Sequence, residues 1–190
     1  MKLLVIFTSG ALIVLGVAGA VAHGGATGIV KERMVAMGAM GKVMKSLSVM
    51  MRGEGAYDAE TVRNGAAVLE THSGAALTKL FPENSISGPS EAVPEIWSNW
   101  QEFQSLSDNL ERYSIALGHA ADNGLRPLED SSSMMGQTMM GSAGMMGQSM
   151  MGNQAEAPDP QMLAQMPVQA LFNMTAQTCS TCHTKFRVEK

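Results

Sequence analysis

Two cysteines and a histidine near the end of the chain carry its clearest chemistry. Cys179, Cys182 and His183 stand in the order Cys-x-x-Cys-His, and they include the only two cysteines among 190 residues. On a helix these positions fall at i, i+3 and i+4, so both sulfurs and the imidazole share one face. That order is the attachment signature of c-type haem. The two thiols add to the two vinyl groups of the porphyrin, and the adjoining imidazole ligates iron from below. No further cysteine is present to build a disulfide framework or a four-cysteine zinc site. A Cys-Cys-His zinc site would need a fourth ligand from elsewhere and a less crowded arrangement than a cysteine next to a histidine.

Haem is joined to such a motif outside the cytoplasm, and the start of the chain supplies a route there. Met1 and Lys2 precede an apolar run from Leu3 to Val21 that closes on Ala20-Val21-Ala22. One positive charge, an apolar centre and a small-x-small end describe a secretory signal peptide over residues 1–22, cut after Ala22. The run approaches the length of a membrane span, but its Ala-Val-Ala end reads as a cleavage site. The expected location is therefore the periplasm, with no membrane attachment after cleavage. Residues 23–190 then form a single domain. Removing Lys2 leaves 12 basic against 17 acidic residues, so the net charge moves from −4 to −5. Such an acidic chain is no nucleic-acid binder.

The elements that must position the motif are helices. No sustained strand alternation appears, whereas apolar residues recur at helical spacing in several stretches. Val30, Met34, Met37, Met40, Met44, Leu47 and Met51 form the stripe of a first helix, ended by Gly53-Glu54-Gly55. Asp58 is placed to cap a second helix running to about Leu80, with Val62, Ala66, Leu69, Ala76 and Leu80 inward. Phe81 to Pro89 is dense in turn residues and reads as a loop. A third helix starts near Pro94 and continues to about Asn123, with Ile96, Trp97, Trp100, Phe103, Leu106, Leu110, Tyr113 and Leu117 on its apolar side. The fourth carries the haem motif; Asp159-Pro160 supplies its start, and Pro167 is placed to kink or restart it. Four helices with one haem motif near the end predict an all-α, antiparallel four-helix bundle.

Residues 125–158 interrupt this plan. They hold an 11-residue repeat, from Ser131 to Gly141 and again from Ser142 to Gly152, with methionines in four pairs. Glycine and serine at these positions oppose a stable helix, so the segment reads as a flexible insertion between the third and fourth helices. Its eight thioethers are soft ligands of the kind that select copper(I). A low-complexity loop without ligand, or a sacrificial site for oxidation to sulfoxide, is the plainer account of it. Cleavage after Ala22 would also expose His23 as an N-terminal copper chelator.

Three stretches together resemble the class II cytochromes c, the cytochrome c-prime family. They are Val30-Lys31-Glu32-Arg33 leading into Met37, Gly38 and Met44; Gly55 to Ala59, with Leu80-Phe81-Pro82 and Pro94 to Trp97; and Cys179 to His183 followed by Phe186-Arg187. The haem motif alone is common to all c-type cytochromes, while its C-terminal position beside the Arg33 and Trp97 stretches selects class II.

The resemblance implies one covalent haem c, linked through Cys179 and Cys182 with His183 as proximal ligand. Arg187 corresponds to a basic residue one turn past that ligand, and Arg33 to a first-helix arginine near the haem. A propionate is the expected partner of these guanidinium groups. Met37 falls where the family places the residue facing the distal side of the iron. A thioether there can ligate iron and raise its potential, which resembles the low-spin, Met/His-ligated branch. Methionine at helical spacing is also ordinary core filling, and Met34 or Met40 would serve in place of Met37 if the register is shifted. His72 and His119 read as surface or satisfied histidines. Trp97, Trp100 and Phe103 are expected to pack the bundle and wall the haem.

The leading expectation from this resemblance is a non-enzymatic periplasmic carrier of single electrons, working with redox partner proteins. A high-spin cytochrome that binds nitric oxide or carbon monoxide is the alternative, and copper(I) binding by the insertion a further one. The resemblance also admits a homodimer.

Overall fold

The computed structural model describes residues 25–125 and 159–188. Its helices are α1 (Gly28–Met51), α2 (Ala59–Thr71), α3 (Gly74–Thr78), α4 (Glu95–Ser98), α5 (Trp100–His119), α6 (Pro160–Leu163) and α7 (Val168–Phe186). A 3-10 turn, Ala120–Asn123, extends α5. The expected signal peptide, the methionine pairs and His23 lie outside the described residues.

The long helices α1, α2, α5 and α7 pack in a ring, α1 on α2, α2 on α5, α5 on α7 and α7 back on α1. Contacts at their ends fix the directions. Gln169, at the start of α7, donates from Nε2 to the carbonyl of Met51 at the end of α1. The hydroxyl of Tyr57, just before α2, donates to Ala121 O beyond the end of α5. Phe103, near the start of α5, meets Phe186 at the end of α7 with ring centroids 5.5 Å apart. Neighbouring helices therefore run in opposite directions, and the antiparallel four-helix bundle predicted from the apolar spacing is the observed fold.

Local chemistry sets the helix ends. Asp58 caps α2 as expected, accepting from the backbone N–H of Glu60 and Thr61 at 3.2 Å each; these donors have no partner within the helix. Asp159 accepts from Gln161 N at 2.8 Å, and Pro160 opens α6. Pro167 cannot continue that helix, since its ring removes a donor and clashes with the preceding turn. It stands directly before α7, so the chain restarts there. α1 closes at Arg52, and the Gly53 N–H bonds back to Met50 O at 2.9 Å.

The second expected helix is broken. α2 stops at Thr71, and a turn through His72 and Ser73 leads into the short α3. The break advances the register by one, so Leu77 is buried in place of Ala76, and Leu80 is only half-buried. Gly74 is its cause. Its φ is +56°, and a Cβ there would lie 2.2 Å from Oε2 of Glu111. The neighbouring α5 holds the turn, because Ser107 Oγ donates to Gly74 O at 2.9 Å from a buried position. The third expected helix is likewise divided, at Asn99, whose backbone leaves helical geometry between α4 and α5.

Two apolar clusters fill the bundle. The larger is built on Leu47, Val62, Leu69, Leu117, Val168 and Leu171, and the smaller on Leu77, Phe81, Ile96, Phe103 and Phe186. Met37 packs against both. Gly74→Ala should lower the stability of the full protein by about 1–2 kcal/mol, the cost of placing an L side chain in the left-handed region. Urea unfolding measures it, and an unchanged midpoint would show that this turn is free to relax.

Candidate haem site

α1 and α7 touch least of the neighbouring long helices, and a cleft of about 450 Å³ opens at their seam. That volume lies in the range of cofactor and small-molecule sites. Met34, Met37, Gly38 and Gly41 line it from α1, Phe81 and Pro89 to Ala92 from the loop, and Ile96 and Phe103 from α4 and α5. Cys182, His183, Phe186 and Arg187 line it from α7 and its end. Ideal Cβ atoms built on Gly38 and Gly41 would meet nothing within 4 Å, so this face of α1 leaves room for a flat group to approach the helix.

The cysteines and the histidine sit as the motif requires, on one helix. Cys182 and His183 line the cleft; Cys179, one turn earlier, is half-buried against the larger apolar cluster. Both thiols are free. Burial raises the Cys179 pKa, and burial with Cys179 nearby pushes Cys182 up to about 11. The His183 imidazole opens onto the cleft. Desolvation by the surrounding protein lowers its pKa, Arg187 lowers it further, and Glu91 opposes. Among the described residues no group of three or more His, Cys, Asp and Glu is placed to hold a metal ion.

Arg33 is the most informative polar residue of the site. It is only 4% exposed and lines the cleft. Nε donates to Leu80 O, Nη2 donates to Ser85 Oγ, and the guanidinium lies 4.3 Å from the centre of the Phe81 ring. The remaining nitrogen, Nη1, is buried with no hydrogen-bond partner. Desolvation lowers its pKa. A buried cation with an unsatisfied donor is costly, and its chemistry asks for a carboxylate in the cleft. A haem propionate is such a group, so the donor set fits haem.

Other expected residues are placed less uniformly. Arg187 does line the cleft, but its side chain is half-exposed and paired with Glu91, Nε donating to Oε2 at 2.7 Å. Of the methionines offered in place of Met37, Met34 lines the cleft whereas Met40 is buried in the larger cluster. His72 and His119 are away from it, at the ends of α2 and α5. Of the three aromatic residues expected to wall the haem, only Phe103 lines the cleft. Trp97 and Trp100 face a separate surface depression beside Pro82, Trp97 donating from Nε1 to Phe81 O at 3.0 Å and Trp100 being 37% exposed. Both still pack the bundle as expected, Trp97 against the smaller apolar cluster and Trp100 against the Phe103 ring at 5.6 Å between centroids, without lining the cleft. Ser85 and Glu91, partners of the two arginines, lie in or beside a loop whose residue types carry no motif.

A bundle whose last helix presents Cys-x-x-Cys-His to an apolar cleft defines a c-type haem protein. The profile described as Cytochrome C' matches residues 28–143, more than half of the chain, and the chain belongs to this family. It carries one covalent haem c, as the family does; nothing in the likeness supports copper. The match ends before Cys179, so the attachment motif is read from the chain itself. Cytochrome c' of Rhodopseudomonas palustris is 33% identical over 112 residues, 58% of this chain and 74% of that protein. Cytochrome c-556 of Agrobacterium tumefaciens is 33% identical over 86 residues, 44% of this chain and 66% of that protein. A mutant of cytochrome c prime from Alcaligenes xylosoxidans, solved with nitric oxide bound, shares the fold with a TM-score of 0.55 and 22% identity, covering 85% of this chain and 94% of its own.

The raised thiol pKa values predict slow chemistry at the cysteines before haem is attached. With a pKa near 11, roughly one Cys182 in a thousand is thiolate at pH 8, and the thiolate is the reactive form. In chain lacking haem, iodoacetamide should label the cysteines much more slowly under native conditions than in urea, and native labelling should quicken as pH rises. Equal rates in the two conditions would show that burial does not protect them.

Proposed function

We propose that the cleft between α1 and α7 holds the haem, tethered by Cys179 and Cys182 with His183 on its proximal side, and keeps the distal side for a small uncharged gas such as nitric oxide or carbon monoxide. One observation carries the placement. The cleft brings together Cys182, His183, Met37 and a buried arginine whose last donor has no partner. Haem, when bound, supplies an iron that accepts one electron or one gas molecule. His183 holds the tethered group from α7, Arg33 turns Nη1 to a propionate, and Ile96, Phe81 and Phe103 keep water from the apolar side.

Gas binding is favoured over the Met/His-ligated electron carrier expected from sequence. Family membership and the fold shared with a protein solved with nitric oxide support it. So does the packing of Met37, whose side chain is engaged by both apolar clusters. A methionine held in this way stands over the site as a barrier an incoming gas must pass. The second reading, electron carriage with Met37 as sixth ligand, has its own observation: Met37 does line the cleft opposite the helix that bears His183. No helix among the described residues is long and apolar enough to cross a membrane, and we assign the mature protein to the periplasm on the strength of residues 1–22.

Visible spectra of the purified protein separate the readings. A dithionite-reduced sample should show broad high-spin bands that shift at once with carbon monoxide, and Met37→Ala should quicken carbon monoxide association about tenfold, a barrier lower by about 1.4 kcal/mol. Sharp, split low-spin bands in the wild type, turned high-spin by Met37→Leu, would make it the Met-ligated carrier. Arg33→Met should cost the haem-loaded protein about 1.5–3 kcal/mol in urea unfolding, the range for a hydrogen bond to a charged group. A cost near zero would remove the propionate from Arg33.

A further inference from the structure

Beyond Phe186 the chain turns extended, with Arg187 at φ −127° and ψ 140°, and pairs with the segment before α4. Val188 N donates to Glu91 O at 2.8 Å, and Val93 N donates to Phe186 O at 3.2 Å, on either side of an antiparallel bridge between Ala92 and Arg187. The side chains repeat the connection, because Nε and Nη2 of Arg187 both reach Oε2 of Glu91, at 2.7 and 2.5 Å. Glu91, Arg187 and His183 line one wall of the cleft. With side chains 35% and 43% exposed, the pair adds little to stability. Its effect is on the local field, since a charge beside a low-dielectric cleft is felt more strongly than one in water.

We infer that Glu91 is a positioning residue for the proximal side of the haem: it pins Arg187 to the end of α7 and neutralises it, so that the iron faces a paired cation and not a bare one. The inference rests on the haem placement proposed above. Reduction of ferric to ferrous iron adds one electron from an external donor, dithionite or a redox protein, and takes up no proton at these two residues. A gain of positive charge nearby favours the reduced form, and a loss of it the oxidised one.

The test compares Glu91→Gln, Glu91→Asp, Arg187→Gln and the Glu91→Gln/Arg187→Gln double variant as full, haem-loaded proteins. Midpoint potentials come from spectroelectrochemical titration, haem content from the pyridine haemochrome, and stability from urea unfolding. Glu91→Gln should raise the potential by several-fold in the reduction equilibrium constant, where tenfold is 59 mV for one electron. Arg187→Gln should lower it, and Glu91→Asp and the double variant should stay near the wild type. Urea midpoints should move little throughout, as a role confined to packing would not allow alongside shifted potentials. An unchanged or lowered potential in Glu91→Gln overturns the assignment, as do single-variant shifts of one sign. If Glu91→Gln loads no haem, Arg187→Gln and the double variant decide: a lowered potential restored in the double supports the assignment, and any other pattern overturns it. A wild type without thioether-linked haem overturns the haem placement and this inference together; a loaded wild type with unmoved variants overturns this inference alone.

Discussion

The buried guanidinium of Arg33 is the constraint on which the site end of the bundle depends. Moving such a cation out of water costs several kcal/mol unless every donor finds a partner. The chain meets most of that demand from one loop, through Leu80 O, Ser85 Oγ and the face of Phe81. The loop from Phe81 to Ser90 is thereby fastened to α1, and its far end continues into the pairing of residues 91–93 with 186–188. Arg33 on one side and Arg187 on the other hold the same segment across the mouth of the cleft. What the protein leaves unsatisfied is Nη1 of Arg33, on a residue that lines the cleft.

The seam between α1 and α7 is open for a reason visible in the residues facing it. Tight helix packing requires side chains from both partners to interdigitate. α1 offers Gly38 and Gly41 there, which supply no side chain to fill the gap. Toward the other end of the same helix, Leu47 and Met51 are buried in the larger cluster and the bundle closes. A single helix thus serves as core along one part of its length and as a cleft wall along the other. Met37 lies where the two regimes meet, touching both clusters and the cleft. Its position explains why its role turns on whether the thioether is spent on packing or reaches the iron.

Much of this was legible in the sequence because it rests on local chemistry or on periodicity. Asp58, Asp159, Pro160, Pro167 and Gly53 each act on the turn beside them, and the helix ends they predict are the observed ones. The stripe from Val30 to Met51 was readable for the same reason. Cys-x-x-Cys-His needs only one helix to bring its atoms together. The break at Gly74 was not legible, because it depends on α5 approaching to bond its carbonyl through Ser107. Nor was the place of Trp97 and Trp100 beside a separate depression and not the cleft, since an apolar stripe read straight through Asn99 does not show the break there. Ser85 and Glu91 became site residues only once a loop and a helix end from distant parts of the chain met. Serine and glutamate in a polar stretch carry no signal of that.

The same topology fixes where the described bundle is interrupted. The chain leaves the described bundle at Leu125 and returns at Asp159, and the two sides are joined by Asn123 Nδ2 donating to the carbonyls of Ala164 and Met166 at 3.0 and 3.3 Å. That junction lies at the end of α5 and the start of α7, whereas the cleft lies at the start of α5 and the end of α7. The 20 residues of α5 separate the two by about 30 Å at 1.5 Å per residue. The points where the chain leaves and re-enters the described bundle therefore stand at the end opposite Arg33, Met37 and His183.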